Sequence, residues 1–155
     1  MKNADAYVIY NFPCGALKIG YTDTAITGIS ISDEKAGGTP SALSELAKTQ
    51  LCEYFDGKRQ EFNLPLELRG TDFQKKVWAA LCDIPYGETR SYKDIAEAVS
   101  NPKGYRAVGM ANNKNPVAIV VPCHRVIGAD GSLVGYGGGL DMKRLLLKLE
   151  GSTVG

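Results

Sequence analysis

Histidine is scarce in this sequence of 155 residues, and its cysteines are isolated from one another. His124 is the only histidine, and the four cysteines include no CxxC spacing. A structural zinc site needs four Cys or His ligands at short paired spacings, so we expect no metal. The GxxxxGK[ST] loop that holds nucleotide triphosphates is also missing, and no other cofactor is expected.

Long apolar runs are missing as well. No stretch approaches the roughly 18–20 residues that a membrane-spanning helix requires, and the segment after Met1 lacks the apolar core of a secretory signal. We therefore expect a cytoplasmic protein with reduced thiols and no membrane partner. The composition, 44% hydrophobic and 23% charged, is typical of a folded globular protein.

The charge is nearly balanced overall but unevenly distributed. The net charge is +1, yet residues 1–68 carry 6 basic and 9 acidic side chains, whereas residues 69–155 carry 12 and 8. No acidic residue occurs between Ala98 and Ala129. This asymmetry favours an anionic partner for the second half, although a solvated basic face gives the same pattern.

Residues 1–68 predict a small α/β unit. Three runs rich in β-branched and aromatic residues, 6–10, 16–21 and 26–31, predict a three-stranded meander. A helix is then predicted from Ser41 to just before Gly57, because apolar residues recur at helical spacing. That apolar stripe consists of Leu43, Leu46, Ala47, Leu51, Tyr54 and Phe55.

Residues 69–155 predict a mainly helical unit. Thr71 and Gln74 fit a capping box before a first helix, and Ser91 caps a second. A third helix is predicted over about 103–113, with Pro102 near its first position. Its inward residues are expected to be Ala107, Val108 and Ala111.

The second and third helices are joined by a short turn, which is typical of a helix-turn-helix. Arg106, Asn112, Asn113 and Lys114 then decorate the third helix, where a DNA-reading protein needs polar and basic side chains. An ordinary helical hairpin with a polar outer face fits the same pattern, so the motif alone leaves both interpretations open.

The segment from Val117 to Pro122 is apolar and leads directly to Cys123 and His124. A thiolate is the reactive form of cysteine, so a nucleophilic Cys123 needs a base or a positive neighbour. Neighbouring side chains of an extended chain point to opposite faces, so His124 reaches the thiol proton only through a turn or a bridging water. Glu150 is the acidic candidate to orient the imidazole. A buried, inert cysteine beside an exposed histidine is the alternative.

Two features follow this segment. The residues from Gly128 to Ser132 predict a tight turn, so that Val126-Ile127 and Leu133-Val134 pair as a small wing. The glycine-rich run at 135–139 either lets the backbone approach a ligand closely or forms a flexible linker before a last helix.

Six short motifs occur in the second half of the chain: GETRSY at 87–92, RAVG at 106–109, NP at 115–116, PCHRV at 122–126, GYGGGL at 135–140 and EG at 150–151. Together they resemble the O6-alkylguanine-DNA alkyltransferases, which repair DNA by direct reversal. The resemblance is strongest from Gly70 to Gly151, and the order and spacing of the motifs agree throughout. The resemblance implies an α+β protein with a ribonuclease-H-like α/β domain over 1–68 and a mainly helical winged helix-turn-helix domain over 69–155.

The resemblance also implies a chemistry. Cys123 accepts an alkyl group from the O6 atom of a damaged guanine, irreversibly and once per molecule, and O4-alkylthymine is a second candidate substrate. His124 takes the thiol proton through a water, and Glu150 holds the imidazole. Asn115 supports the turn between the recognition helix and the active-site segment.

Chemistry on a stacked base requires its extrusion from the duplex. The resemblance assigns Arg106 to the gap left in the stack, Tyr92 to rotation of the nucleotide, and the carbonyls of Cys123 and Val126 to the guanine amino group. The residues expected to contact DNA are Tyr92, Arg106, Ala107, Gly109, Asn112, Lys114 and Arg125. The residues expected to line the substrate pocket are Val126, Tyr136, Gly137 and Gly138, with the Gly137 N–H meeting O6.

The expected partner is therefore double-stranded DNA containing O6-alkylguanine, bound by a monomer. Two other functions fit part of the pattern, namely a non-catalytic module that binds lesions and a Cys-His-Glu hydrolase. The presence of Cys123 argues against the first. The lack of an obvious second oxyanion donor argues against the second.

Overall fold

The structure, a computed structural model, describes residues 5–133, 136 and 139–152. The chain forms two compact units, Met1–Arg69 and Gly70–Gly155. The boundary expected from the sequence lies one residue earlier. Among the described residues, no helix is long and apolar enough to cross a membrane.

The first unit is an antiparallel sheet with one helix. Strands β1 (Ala6–Phe12), β2 (Gly15–Tyr21) and β3 (Ile26–Ile31) form a meander in the order β1-β2-β3. Helix α1 (Ala42–Phe55) begins with a capping box between Ser41 and Ser44. The stripe predicted for α1 is wrong at Leu46, which is 44% exposed.

The second unit is built around four helices: α2 (Asp72–Cys82), α3 (Tyr92–Ala98), α4 (Tyr105–Asn113) and α5 (Leu140–Leu149). The capping box predicted for α2 is present, and the cap predicted at Ser91 is a capping box as well. The indole nitrogen of the buried Trp78 on α2 donates to the Ala111 carbonyl at 2.8 Å. This bond fixes α4 against α2.

Helix α4 starts later than the sequence predicts. Pro102 lies in a turn, and Gly104 rather than proline precedes the first helical residue. The side of α4 that is held against α2 contains Val108 and Ala111, which are buried, whereas Ala107 is exposed. The predicted inward position of Ala107 is therefore wrong.

The predicted wing lies only partly within the described residues. The turn forms, since the Gly128 N–H donates to the Ser132 carbonyl at 2.8 Å. In addition, the strand β5 (Val126–Ile127) pairs in parallel with β4 (Arg90–Ser91). Both β5 residues are buried, so their backbone needs a partner within the protein. Val134, the other half of the predicted wing, lies outside the described residues.

Candidate active site

The segment before Cys123 is held in place by one side chain. Asn115 accepts a hydrogen bond from the Val117 N–H at 3.0 Å and donates to the Val121 carbonyl at 2.7 Å. Between these two bonds, Ile119 adopts a φ of 74°. A β-branched residue in this region costs on the order of 1–3 kcal/mol and persists only where the surroundings impose it. The Asn115 clamp thus fixes the approach to the cysteine.

The backbone turns at the predicted nucleophile. Cys123–Arg125 forms a 3₁₀ helix, closed by the Arg125 N–H donating to the Pro122 carbonyl at 3.0 Å. Cys123 and His124 are both buried. Because of this turn, the two side chains are no longer forced to opposite faces as in an extended chain. The burial of His124 excludes the alternative of an exposed histidine.

Glu150 joins His124 and Arg125 in one buried cluster. Its Oε2 lies 2.7 Å from His124 Nε2, and its two oxygens accept from Arg125 Nε at 2.8 Å and Nη2 at 3.0 Å. Arg125 Nη1 also donates to the Ile84 carbonyl at 2.7 Å. Because a carboxylate accepts hydrogen bonds, Nε2 carries the imidazole proton and Nδ1 keeps its lone pair. That Nδ1 is buried and has no hydrogen-bond partner among the described residues.

Burial sets the protonation of the reacting pair. It raises the pKa of the Cys123 thiol, and hydrogen bonds from Asn115 and Tyr136 and the positive Lys143 partly offset this effect. Burial lowers the pKa of His124 below its ordinary value, against the opposing effect of Glu150. The resting pair is therefore a neutral thiol and a neutral imidazole with a free acceptor nitrogen.

Tyr92 lies next to this turn because of the strand pairing. Ser91 pairs with Ile127, and Tyr92 follows as the first residue of α3. Burial raises the pKa of Tyr92, and the charge of Cys123 adds to the effect. Gly109 of α4 is close by, since a Cβ there would lie 3.8 Å from the Tyr92 ring. Tyr92 therefore keeps its hydroxyl proton beside the cysteine.

The residues expected to contact DNA fall into two groups. Arg106, Ala107 and Lys114 are exposed along α4. Asn112 and Arg125 are buried and bonded internally, so neither side chain is exposed, and their contact with DNA stays a prediction. Asn112 occupies the inner side of α4, and the guanidinium of Arg125 is held by Glu150.

The pocket residues are only partly described. Val126 is fully buried and Tyr136 is half-buried, whereas Gly137 and Gly138 lie outside the described residues. Sequence reasoning missed Lys143, which is buried and donates from Nζ to the Val126 carbonyl. Burial lowers the pKa of Lys143 to about 8. A lysine within the apolar stripe of α5 was the available signal.

No group of side chains that could hold a metal ion occurs in the described ranges. The chemistry available there is that of a thiol with a basic imidazole, an oriented carboxylate and a phenolic hydroxyl.

Two models of the same protein family match the first and the second unit of the chain. The family model "6-O-methylguanine DNA methyltransferase, ribonuclease-like domain" matches residues 6–68, and "6-O-methylguanine DNA methyltransferase, DNA binding domain" matches residues 72–152. A methylated-DNA--protein-cysteine methyltransferase of Methanosarcina acetivorans is 61% identical over 153 residues, which cover 94% of this chain and 98% of the relative.

Solved structures support the same assignment. The Mycobacterium tuberculosis O6-methylguanine methyltransferase aligns with a TM-score of 0.87 and 46% identity, covering 95% of this chain and 93% of the other. Mycobacterium tuberculosis OGT in complex with DNA aligns with a TM-score of 0.83 and 46% identity, covering 92% and 90%. The first unit is thus a ribonuclease-like domain and the second a DNA-binding domain. The chain belongs to the 6-O-methylguanine DNA methyltransferase family.

Proposed function

We propose that this protein repairs O6-alkylguanine in duplex DNA by moving the alkyl group irreversibly to its own Cys123. The observation that carries the proposal is the buried Cys123 beside a His124 whose Nε2 is bound by Glu150 at 2.7 Å. This arrangement provides a thiol and a base in one turn, and the family relationship supplies the substrate class.

The transfer step balances within these groups. The thiol proton passes through a water to Nδ1 of His124, and Glu150 stabilises the resulting imidazolium. The sulfur forms a bond to the alkyl carbon as the bond from that carbon to O6 breaks. The electron pair stays on guanine, which becomes neutral by taking up the proton that the thiol released. Nothing hydrolyses the thioether, so each molecule acts once.

Burial of the thiol implies that the base leaves the stack. The Cys123 side chain lies inside the domain, whereas the α4 face with Arg106 and Ala107 is exposed. A stacked base cannot reach such a site, so the damaged nucleotide has to be extruded. We assign Arg106 to the gap in the duplex, and Tyr92, adjacent to both α4 and Cys123, to the extruded nucleotide.

Intact mass spectrometry tests the proposal. After incubation with excess duplex containing O6-methylguanine, the protein should gain one methyl group, located on the Cys123 peptide, and the reaction should stop at one equivalent. An unchanged mass despite tight binding to the lesion would instead identify a non-catalytic binding module.

Arg106→Ala is expected to slow transfer from duplex DNA by at least about tenfold while changing transfer from the free O6-methylguanine base by less than about twofold. The physical reason is that only the duplex requires extrusion. Single-turnover rates on the two substrates measure the effect. Lys114→Ala is the matched control, because it also removes an exposed positive charge, at the C-cap of α4. Equal losses on duplex and free base for Arg106→Ala would refute the extrusion role.

The rate of transfer is expected to stay constant as the pH falls from 8 to about 6.5 and to decline only below that. Burial lowers the pKa of His124 from 6.5, so the neutral base persists below the ordinary range and is lost when Nδ1 is protonated at lower pH. Single-turnover rates at saturating duplex measure this decline at low pH. Circular dichroism at each pH verifies that the protein stays folded. A rate already halved at pH 7 would contradict the neutral resting imidazole.

We further propose that the protein acts as a cytoplasmic monomer. One lesion requires one thiol, and Cys123 with its base and orienting carboxylate all belong to the second unit of one chain. The four cysteines, all within the described residues, are free, as expected in a reducing compartment. Light scattering on the free protein tests the monomer.

A further inference from the structure

Tyr86 lies in the turn between α2 and β4, against the buried cluster of His124, Arg125 and Glu150. The guanidinium carbon of Arg125 lies over its ring, 5.7 Å from the ring centroid, a distance at which a cation is attracted to an aromatic face. The Tyr86 hydroxyl donates to the carbonyl of Leu149, one residue before Glu150, but at 3.3 Å this hydrogen bond is long and weak. The ring is therefore the main contact of Tyr86 with the cluster.

The cluster behind this ring is closed to water. The side chains of His124 and Glu150 are fully buried and that of Arg125 is 8% exposed, whereas Tyr86 itself is half-buried. The Cys82 thiol, at the end of α2, is a further titratable group near Arg125, and its raised pKa keeps it neutral. Because water screens charges and solvates ions, the protonation of the imidazole depends on how well this cluster is sealed. The ring of Tyr86 lies at the boundary between the guanidinium and solvent.

We propose that Tyr86 is a positioning residue of the transfer reaction, whose ring closes the solvent side of this cluster and keeps His124 in the neutral form that accepts the thiol proton. The inference rests on the proposed function. Burial and the positive charges of Arg125 and Lys143 favour the neutral imidazole, whereas Glu150 favours the protonated one. Loss of the ring admits water to the guanidinium, which reduces the burial and screens the charge of Arg125, and both changes favour protonation. The contact with Glu150 is a direct hydrogen bond at 2.7 Å and is screened least.

The test measures the protonation of His124 without DNA. His124 is the only histidine of the chain, so its imidazole signals are identified in NMR spectra of protein without an added histidine tag. Tyr86→Leu removes the ring and is expected to raise the pKa of His124 by at least about half a pH unit. The decline of the single-turnover transfer rate at low pH should move upward by the same amount. Tyr86→Phe keeps the ring over the guanidinium and should titrate within about 0.2 pH units of wild type.

Tyr10→Leu is the matched control, because Tyr10 is also a half-buried tyrosine with a cation over its ring, the Lys48 ammonium at 5.0 Å, but belongs to the first unit. It should leave the His124 titration and the pH dependence of transfer unchanged. An unchanged titration in Tyr86→Leu, or an equal shift in Tyr86→Phe, would overturn the inference.

If Tyr86→Leu does not fold, Tyr86→Met takes its place with the same expected shift. Failure of both variants to fold would assign the ring a packing role and overturn the inference. A failure of the proposed function gives a different result, because wild-type protein would then transfer no methyl group from O6-methylguanine duplex, whatever the titration of His124 shows.

Discussion

Cys123→Ser is expected to abolish alkyl transfer while affinity for duplex containing O6-methylguanine stays within about twofold of wild type. The hydroxyl of serine is a much weaker nucleophile than a thiol of similar size, and the base available to it is an ordinary neutral imidazole. Burial of the side chain keeps it away from the exposed α4 face that we propose binds the duplex. Intact mass after prolonged incubation measures transfer, and fluorescence anisotropy with labelled duplex measures binding.

Cys82→Ser provides the control for this experiment. Cys82 is an exposed, free cysteine of the same unit, at the end of α2. The Cys82→Ser protein should still gain one methyl group per molecule, at the wild-type rate. A methyl group on the Cys123→Ser protein would place the acceptor elsewhere. Loss of lesion binding in parallel with transfer would show that the thiol contributes to recognition.

Local signals in the sequence predicted most of the helices. Ser41, Thr71 and Ser91 cap the helices that follow them, and each cap depends on residues only three positions apart. Helix α4 lacked such a signal, because Gly104 has no side chain to cap it. A turn closed by the Gly104 N–H donating to the Asn101 carbonyl at 2.8 Å delays its start beyond Pro102.

The candidate site was predicted better in its residue types than in its geometry. The pattern identified Cys123, His124 and Glu150 without the 3₁₀ turn that makes their arrangement possible. Arg125 was expected among the DNA-contacting residues, whereas the structure buries its guanidinium. Its partners lie 25 and 41 residues away in the chain, at Glu150 and Ile84. Only the folded chain brings these groups together.

The burial of Asn112 on the inner side of α4 could not be predicted from the local sequence either. Its neighbours on α4, Arg106 and Lys114, are exposed as predicted, and a polar residue among them is normally exposed too. The inner position follows from the rotation of α4 fixed by Trp78 and Ala111. A buried polar residue of this kind departs from the local pattern, and such departures occur preferentially at functional sites.

Glu150→Leu is expected to destabilise the second unit by about 3–5 kcal/mol and to lower its unfolding midpoint by more than about 10 °C. Glu150 is fully buried and binds the guanidinium of Arg125 through both oxygens, so its removal leaves a buried positive charge without a counter-ion. His124 loses its orienting acceptor in the same change, so transfer should fall together with stability. Thermal unfolding followed by circular dichroism measures the first effect, and single-turnover rates well below the lowered midpoint measure the second.

Two control variants distinguish the destabilisation caused by the unpaired Arg125 charge from the effect of removing any carboxylate. Glu67→Leu removes an exposed partner of Arg69 in the first unit and should cost no more than about 1 kcal/mol, because exposed ion pairs contribute little. The double variant Arg125→Leu and Glu150→Leu should be more stable than Glu150→Leu alone, since it removes the unpaired charge as well. A double variant less stable than the single one would mean that Arg125 stabilises the unit mainly through the Ile84 carbonyl, and not through Glu150. The transfer rate of the double variant should remain low in either case, because His124 still lacks the carboxylate that keeps its Nδ1 available to the thiol proton.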